Sequence, residues 1–381
     1  MNPLDTSLPS PSFCIDLDRL ERNAARFQSL GLPIRPHLKT AKCVEVAKLL
    51  VNGDLSNGLV CSTVAEVEYF ASHGFTDLTY GVPIEPSKLP RLLALRPALP
   101  LLRLMVDSAE GLASLLGALA TATGPALQPL QVWVSVSAGY NREGVAHDSP
   151  AALALIAAVH AASPALALCG LYSHSGDSYC GGKAGALAAA SQELARMAAL
   201  AALAAAQGTP PPLLSLGATP STFSGQQWAA AFPLQPSPTL ELHAGNYCFF
   251  DRQQVASGSC SLEEIAVYVL ARVVGAYPER NTVLIDAGAC ALHKDAGGLD
   301  TWGCLRDDPS MVLRAMTQEV SVVSTLDGSP IDYSRYRIGA EVRVLCNHSC
   351  MTAAMFPHYN VTRAAGAGRT VTAVWKPCKY W

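Results

Sequence analysis

Short apolar segments alternate with amphipathic segments along roughly the first two thirds of the 381-residue chain. The apolar segments are predicted strands, and the segments between them place apolar residues three and four positions apart, as helices do. The predicted strands are 33–39, 58–63, 77–82, 101–107, 131–137, 166–174, 213–218 and 239–244. Repeated β–α units over about 250 residues favour a parallel (β/α)8 barrel of the TIM type, with an open doubly wound sheet as the alternative.

The pattern changes after about residue 252. Strands are predicted at 266–277, 282–286, 317–325, 341–346 and 370–375, separated by turns rich in Gly, Pro and Asp. No long helical pattern lies between them, which indicates an antiparallel β domain. We therefore predict a barrel at 12–252 and a β domain at 253–381, with the Pro-rich segment 1–11 packing onto the β domain as an extended arm.

Composition excludes several classes of protein. Half of the residues are hydrophobic and only 15% are charged, which is not the composition of a disordered chain. A net charge of −3 indicates no binding of nucleic acid. The longest apolar stretch, 184–206, carries Glu193 and Arg196, so no membrane span is predicted. The N-terminus has no secretory pattern and the 12 cysteines form no CxxC pair, which favours a reduced, cytoplasmic location.

Polar residues cluster at the predicted ends of the barrel strands, where the active site of such a barrel lies. These positions are Lys39, Thr63, Tyr80, Arg142, Tyr172, His174, 217–219 and 245–247. The loops after strands seven and eight commonly bind phosphate, and glycine there lets backbone approach an anion. An amine on strand one together with such loops predicts a pyridoxal phosphate site with Lys39 as its Schiff-base lysine. The alternative is that the glycines only shape turns.

Several histidines leave more than one interpretation open. His37 would point the same way as Lys39, either to tune the lysine or to satisfy a buried hydrogen bond. His243 ends strand eight, where it could face the pyridine nitrogen of a cofactor or pack in the core. His348 and Cys350 lie two residues apart on a predicted strand and would share one face, as ligands of a soft metal or for purely structural reasons.

Five motifs in this order resemble those of the eukaryotic D-serine dehydratases. They are RPHLKT (35–40), YSHSGDSY (172–179), LGATPS (216–221), HAGNY (243–247) and NHSCMTAAM (347–355). These dehydratases belong to the alanine-racemase-like pyridoxal phosphate enzymes, with D-threonine aldolases and 3-hydroxyaspartate dehydratases as relatives. The resemblance spans nearly the whole chain.

The resemblance implies a homodimer with active sites near the interface and an essential Zn²⁺ beside the cofactor. It implies that Lys39 holds pyridoxal phosphate and that His348 and Cys350 bind the metal. The other implied cofactor contacts are Thr63, Tyr172, Tyr179, Thr219, Gly245 and Asn246. Relatives often carry an acidic residue on strand five, where this chain has Ser137 and Ala138, so cofactor contacts there are not carried over.

The expected reaction is dehydration and deamination of a small D-amino acid, D-serine, to pyruvate and ammonia. Lys39 would remove the α-proton, and Zn²⁺ would activate the β-hydroxyl as a leaving group. Cys350 favours dehydration, because the aldolases tend to carry Asp at this position. The alternatives are cleavage of D-threonine to glycine and acetaldehyde, or dehydration of 3-hydroxyaspartate. A non-catalytic pyridoxal phosphate carrier is disfavoured, because such carriers lack a domain like 253–381.

Overall fold

The computed structural model describes residues 8–121, 128–224, 238–363 and 370–381. The chain divides into two compact units. Residues 28–245 and 378–381 form one, called here the barrel unit, and residues 1–27 and 246–377 form the other, called the β unit. This division differs from the predicted bounds of 12–252 and 253–381, because 12–27 and 246–252 lie in the β unit and the last four residues lie in the barrel unit.

Seventeen strands lie within the described ranges. They are β1 (Ser12–Asp16), β2 (Leu59–Cys61), β3 (Asp77–Pro83), β4 (Leu101–Val106), β5 (Leu130–Ser137), β6 (Val145–Ala146), β7 (Leu166–Tyr172), β8 (Leu213–Leu216), β9 (Thr239–Leu242), β10 (Val267–Tyr277), β11 (Thr282–Ile285), β12 (Gly303–Leu305), β13 (Asp308–Met316), β14 (Ser321–Thr325), β15 (Glu341–Cys346), β16 (Tyr359–Thr362) and β17 (Val371–Trp375).

The helices of the described residues are Leu17–Gln28, Val44–Leu50, Val64–Ser72, Leu89–Ala94, Ala109–Thr121, Pro150–Ala161, Gly182–Ala206, Thr219–Ser224, Arg252–Ala256, Ala289–Leu292 and Ser349–Ala354. Side-chain caps start several of them, because the first backbone N–H groups of a helix have no partner within it. Ser149 accepts from the N–H of Ala152 in this way, and Asp251 accepts from that of Gln254. No helix in the described part of the chain is long and apolar enough to cross a membrane.

In the barrel unit, β2, β3, β4, β5, β7, β8 and β9 lie side by side in that order, all parallel. The segment from Pro33 to Leu38 joins the two edges of this sheet. Arg35 donates a backbone hydrogen bond to Leu242 of β9 at 2.8 Å, and Leu38 donates one to Val60 of β2 at 2.8 Å. The ring of strands therefore closes, as predicted, and the open doubly wound alternative is wrong.

The predicted first strand, 33–39, is not a regular strand. It forms only two isolated bridges, Ile34 with Leu242 and His37 with Val60. Pro33 and Pro36 interrupt it, because proline has no N–H to contribute to a ladder. The same segment still carries Lys39 out of the ring into a turn at the C-terminal end of the barrel.

A charged network lies inside the barrel, which is otherwise apolar around Trp133. Arg35 bonds to Asp77 at 2.7 Å and to Glu241 at 3.1 Å, and Arg103 bonds to Asp77 at 2.6 Å. Arg35, Asp77 and Glu241 are all buried. Buried charges require partners, and these three provide them for one another.

In the β unit, β10, β11, β14, β13, β12 and β15 form a closed antiparallel barrel. β1 pairs with β10 on one side and runs parallel to β16 on the other, so the N-terminal strand belongs to this sheet. β1, β12, β13 and β16 of this unit are missing from the sequence prediction. β13 begins Asp-Pro-Ser, a turn signal that conceals the strand after it.

The end of the expected N-terminal arm bonds to β-unit residues. Arg272 donates to the carbonyl of Leu8 at 2.9 Å, and the Ser10 hydroxyl donates to the carboxylate of Asp286. Residues 1–7 of the arm lie outside the described residues.

Candidate active site

Lys39 lies half-buried in a turn of the barrel unit, among three histidines. Its backbone N–H donates to Nδ1 of His37 at 3.4 Å. Burial, and after it the positive charge of Lys39, holds the pKa of His37 and of His174 well below the usual value. The same two causes lower the pKa of His243 to about 3. The imidazoles beside the lysine are therefore neutral at physiological pH.

Tyr172, at the end of β7, stacks on His243. The ring centroids are 4.0 Å apart and the planes differ by 13°. Burial raises the pKa of the Tyr172 phenol well above its usual value, so the hydroxyl keeps its proton. This pair places two flat, uncharged rings at the mouth of the barrel.

The hydrogen bonds of His243 determine which of its nitrogens carries the proton. Nδ1 lies 2.9 Å from the hydroxyl of Ser215, which itself lies 2.9 Å from the carboxylate of Glu241. Glu241 is paired with Arg35 and is therefore a carboxylate, which accepts the hydrogen bond that the Ser215 hydroxyl donates. The Ser215 oxygen in turn accepts a hydrogen bond from Nδ1–H of His243. Nε2 is then a bare acceptor; it is buried and has no partner in the described residues.

The loop after β8 presents buried hydroxyls that have no partner within the described chain. Gly217 has φ +105°, a conformation that favours glycine, and it leads into Thr219. Thr219 Oγ1 and Thr222 Oγ1 are buried without a hydrogen bond, whereas Ser221 bonds to Ala218 and to Ser175. Buried hydroxyls normally have partners, so two empty donors in one loop fit a phosphate group as the missing acceptor.

Two of the residues predicted to contact the cofactor, Thr63 and Gly245, also have roles in the fold itself. Thr63 caps the helix Val64–Ser72, with its hydroxyl accepting from the N–H of Glu66 at 3.1 Å. A Cβ at Gly245 would lie 2.4 Å from the carbonyl oxygen of His37, so the approach of two backbones already requires glycine there. Tyr179 lies half-buried in the turn Gly176–Tyr179, and its contact with a cofactor stays a prediction.

A small pocket lies at the C-terminal end of β5. It is lined by Ser135, Val136, Ser137, Ala138, Tyr140, Asn141, Arg142, Glu143 and His174. Arg142 is paired with the carboxylate of Glu143 and lies over the ring of Tyr140. The hydroxyl of Ser137 donates to Asn141 at 2.9 Å. Ser137, at the position where relatives often carry an acidic residue, thus forms a hydrogen bond within the turn that follows β5.

His348 and Cys350, in the β unit, do not lie on a strand as predicted. β15 ends at Cys346, and His348 is the N-cap residue of the helix Ser349–Ala354, in which Cys350 is the second residue. The two side chains are brought together by the start of a helix. His348 Nδ1 contacts the carboxylate of Asp295 at 2.6 Å, and Cys350 Sγ accepts from the Asn246 amide at 3.4 Å.

Asp251 lies fully buried beside this pair, with 0% exposure. Its carboxylate accepts from the Asn246 amide at 2.8 Å and from the backbone N–H of Ser349 at 2.8 Å. Asn246 is one of the residues predicted to contact the cofactor, and its side-chain amide nitrogen is thus engaged within the β unit. Asn246 Oδ1 remains buried without a partner in the described residues.

The His348–Cys350 pair has the electrostatics of a cation site. Burial by itself would lower the pKa of His348, but Cys350, Asp251 and Asp295 raise it to about 10. A carboxylate on one imidazole nitrogen, as Asp295 is here, typically orients the other nitrogen toward zinc. No group of three or more His, Cys, Asp or Glu suited to a metal occurs in the described residues, so water or substrate would complete the coordination of a zinc ion here.

Sequence reasoning missed three residues of these sites. Asp295 lies in an irregular loop, and nothing in its local sequence points to His348. Asp251 follows the HAGNY motif by four residues, a spacing that could have been noticed. Ser215 lies on β8 two residues before Gly217, and only the neighbouring strand β9 shows that it links Glu241 to His243.

Two family models match the chain. One is described as "Putative serine dehydratase domain" and covers residues 266–362; the other is "Alanine racemase, N-terminal domain" and covers 15–233. D-serine dehydratase of Dictyostelium discoideum is 32% identical over 96% of this chain and 95% of its own. D-threo-3-hydroxyaspartate dehydratase of Delftia sp. is 34% identical over 96% of this chain and 97% of its own.

Solved structures agree with these matches. That of the Delftia sp. HT23 dehydratase superimposes with a TM-score of 0.87 at 31% identity, covering 99% of both chains. A cysteine-to-alanine mutant of D-threo-3-hydroxyaspartate dehydratase, described as metal-free, has a TM-score of 0.86 at 30% identity and covers 99% of both chains. D-threonine aldolase of Filomicrobium marinum, at 23% identity with a TM-score of 0.83 over 97% of this chain and 95% of its own, shares the fold.

Proposed function

The chain belongs to the D-serine dehydratase family of alanine-racemase-like, pyridoxal phosphate-dependent lyases, and from that premise we propose that it converts D-serine to pyruvate and ammonia with the help of zinc. The cofactor and the lyase class come with the family. The choice of D-serine, the metal and the roles of single residues are our proposal. The observation that carries it is the pair His348–Cys350, with a thiol where a hard-metal site would have a carboxylate.

The barrel unit has groups that fit each part of the cofactor. Lys39 would hold the aldehyde, and Thr219 and Thr222 have empty buried hydroxyls for the phosphate. His243 Nε2 is a buried acceptor, and Tyr172 offers a flat stacked ring. When bound, pyridoxal phosphate supplies an electron sink for the pair released at the substrate Cα.

Lys39 Nζ would also remove the α-proton of the substrate. Its amine would be free to act as the base, and the neutral imidazoles of His37, His174 and His243 add no positive charge that would oppose its protonation. One lysine reaches one face of a planar cofactor, so only one enantiomer presents its α-hydrogen to Nζ. L-serine should therefore be inert.

His348 and Cys350 would hold the metal, and zinc fits them because imidazole and thiolate are its common ligands. Zinc would supply Lewis acidity to the β-hydroxyl, a poor leaving group because its conjugate acid, water, has a pKa of about 15.7. Asp295, at 2.6 Å from His348, would orient the histidine.

Dehydration of 3-hydroxyaspartate is the second candidate, and the 34% identity to the Delftia sp. enzyme favours it. That substrate has a second carboxylate and needs another cationic group. Arg142, beside the β5 pocket, is already paired with Glu143, which favours the smaller D-serine. Cleavage of D-threonine is the third candidate, and Cys350 argues against it as stated above.

We also propose a homodimer in the cytoplasm, as the resemblance implies. Sedimentation equilibrium of the purified protein would give the mass directly. A monomer with full activity would contradict the dimer.

The decisive experiment is a product analysis. The purified protein with zinc is incubated separately with D-serine, L-serine, D-threonine and D-threo-3-hydroxyaspartate. Pyruvate and ammonia from D-serine at the highest kcat/KM are the expected result, with no product from L-serine. A preference for 3-hydroxyaspartate would make the second candidate the function, and glycine with acetaldehyde from D-threonine as the dominant products would make the chain an aldolase.

A further inference from the structure

Glu193 is a buried carboxyl group for which the proposed reaction has no role. It lies in the middle of the helix Gly182–Ala206 and is 1% exposed. Neither carboxyl oxygen has a hydrogen bond within the described residues. A charged carboxylate without a partner is strongly disfavoured in such a place, so the position requires either a neutral acid or a partner that the described residues do not supply.

The surroundings of Glu193 are the loops after β7 and β8. The helix packs against the turn Gly176–Tyr179, the short helix Thr219–Ser224 and β8. Ser173, Ser175 and the backbone of Gly217 lie close enough to Glu193 to influence its ionisation. Ser175 in turn bonds to Ser221 at 3.0 Å, so Glu193 lies beneath the loop that carries the empty hydroxyls of Thr219 and Thr222.

The charges around Glu193 are few. From β7 and the loop after it, Asp177 opposes ionisation of Glu193, while Tyr172 and His174 are uncharged. β8 and the short helix after it contain no charged residue. Arg196, on the same helix as Glu193, donates instead to the carbonyl of Ala138.

Two further titratable groups lie farther out. They are Lys183, exposed near the start of the same helix, and His160, exposed on the packed helix Pro150–Ala161. Neither can neutralise a buried carboxylate. Burial is the dominant influence, and it raises the pKa of Glu193 to about 8.

We propose that Glu193 is held as a neutral carboxylic acid beneath the phosphate loop, as a positioning residue, and that its ionisation at alkaline pH weakens retention of the cofactor. The inference rests on the proposed placement of the phosphate at Gly217–Thr222. The acid form can sit beneath a phosphate dianion without repulsion. Loss of its proton adds a negative charge in a buried place, where repulsion is poorly screened.

The test measures cofactor retention by the full-length holoenzyme, not its activity. Wild type and Glu193→Gln are dialysed against cofactor-free buffer, and bound cofactor is followed by absorbance. Wild type should lose cofactor about tenfold faster at about pH 9 than at about pH 7, because each pH unit above the pKa can cost up to tenfold in binding. Glu193→Gln cannot ionise and should show nearly equal rates at both values.

The control is Glu68→Gln, which removes an exposed carboxylate paired with Arg91. It should follow the wild-type profile, because Glu193 is unchanged in it. A wild-type profile without a pH step would overturn the proposal, as would a step of equal size in Glu193→Gln.

A second variant covers the case in which Glu193→Gln does not fold. The Ser173 hydroxyl lowers the pKa of Glu193, so Ser173→Ala should move the wild-type step to higher pH. An unmoved step would contradict the role of Glu193.

Thr219→Val separates this inference from the phosphate placement. Weaker cofactor retention by Thr219→Val at every pH would support the loop as the phosphate site. With that result, an unchanged pH step in Glu193→Gln would overturn only the proposed role of Glu193. Unchanged retention in Thr219→Val would overturn the placement and the inference together.

Discussion

The imidazole of His243 lies parallel to the phenol ring of Tyr172, with centroids 4.0 Å apart and 13° between the planes. The stack joins the end of β7 to the residue that follows β9, and Ser215 of β8 lies between them in the sheet. Three strands thus combine to place one buried acceptor, Nε2 of His243, whose tautomer is determined by Ser215 and Glu241.

Ser215→Ala should lower the free energy of unfolding by about 1–3 kcal/mol, because it leaves the buried Nδ1–H of His243 without an acceptor and removes one of the hydrogen bonds to Glu241, which stays paired with Arg35. Urea denaturation measures the change. The control Ser191→Ala removes an exposed hydroxyl that bonds only to its own helix and should change stability by less than about 0.5 kcal/mol. Equal effects of the two substitutions would contradict the role of Ser215.

Arg35→Met should destabilise the protein by about 3–5 kcal/mol, because Asp77 and Glu241 would lose a cation while remaining buried. The matched variant Arg91→Met breaks a pair with Glu68 that is largely exposed and should cost about 0.2–1 kcal/mol. Both are measured by urea denaturation monitored by circular dichroism. A destabilisation by Arg35→Met no larger than that by Arg91→Met would show that Asp77 and Glu241 do not depend on the charge of Arg35.

Lys39→Ala should abolish activity and the covalent attachment of the cofactor, because its amine is the proposed site of the imine. Borohydride reduction followed by peptide mapping should label Lys39 in the wild type and no lysine in the variant. Lys48→Ala, an exposed lysine on the helix Val44–Leu50, is the control and should keep the label on Lys39. A reducible imine and full activity in Lys39→Ala would refute the assignment.

His348→Ala and Cys350→Ser should each lower zinc content and kcat while leaving the cofactor absorbance largely unchanged, because the metal serves the hydroxyl and not the imine. Zinc is measured by plasma mass spectrometry on the dialysed protein. Cys290→Ser, which replaces an exposed free thiol, should bind zinc like the wild type. Loss of colour together with zinc would instead indicate a structural metal.

Cys350→Asp should shift the metal preference toward manganese and depress dehydration, because a carboxylate suits harder ions than a thiolate does. The rates with D-serine are compared for zinc-loaded and manganese-loaded protein. An unchanged metal preference and product profile would show that Cys350 does not decide the chemistry.

The strand order of the barrel could be predicted from the sequence, because most of its strands are largely apolar runs of three to eight residues bounded by turns. The first strand was harder to predict. The prolines at 33 and 36 leave it only two bridges, yet neighbouring backbones hold Lys39 at the predicted end. The family, and with it the cofactor, was identified correctly from the motifs.

The local conformation of the metal pair was predicted wrongly. A spacing of two residues suits a strand, but the chain turns into a helix at Ser349, where the buried carboxylate of Asp251 accepts from its N–H. Asp251 lies almost a hundred residues earlier, so no local pattern around His348 reveals this acceptor. Of the missed strands of the β unit, β1, β12 and β16 likewise pair with strands distant in the sequence. β13 pairs with its neighbours β12 and β14, and its Asp-Pro-Ser start conceals it.

The sequence by itself determined the order of the motifs, the apolar pattern of the strands and the chemical identity of the lysine, histidine and cysteine. These are properties of neighbouring residues, and a local pattern carries them. The tertiary structure alone decided the protonation of His243, the empty hydroxyls of Thr219 and Thr222, and the burial of Glu193. Each of these depends on which groups meet across strands and on how far water is excluded, and neither quantity is local in the chain.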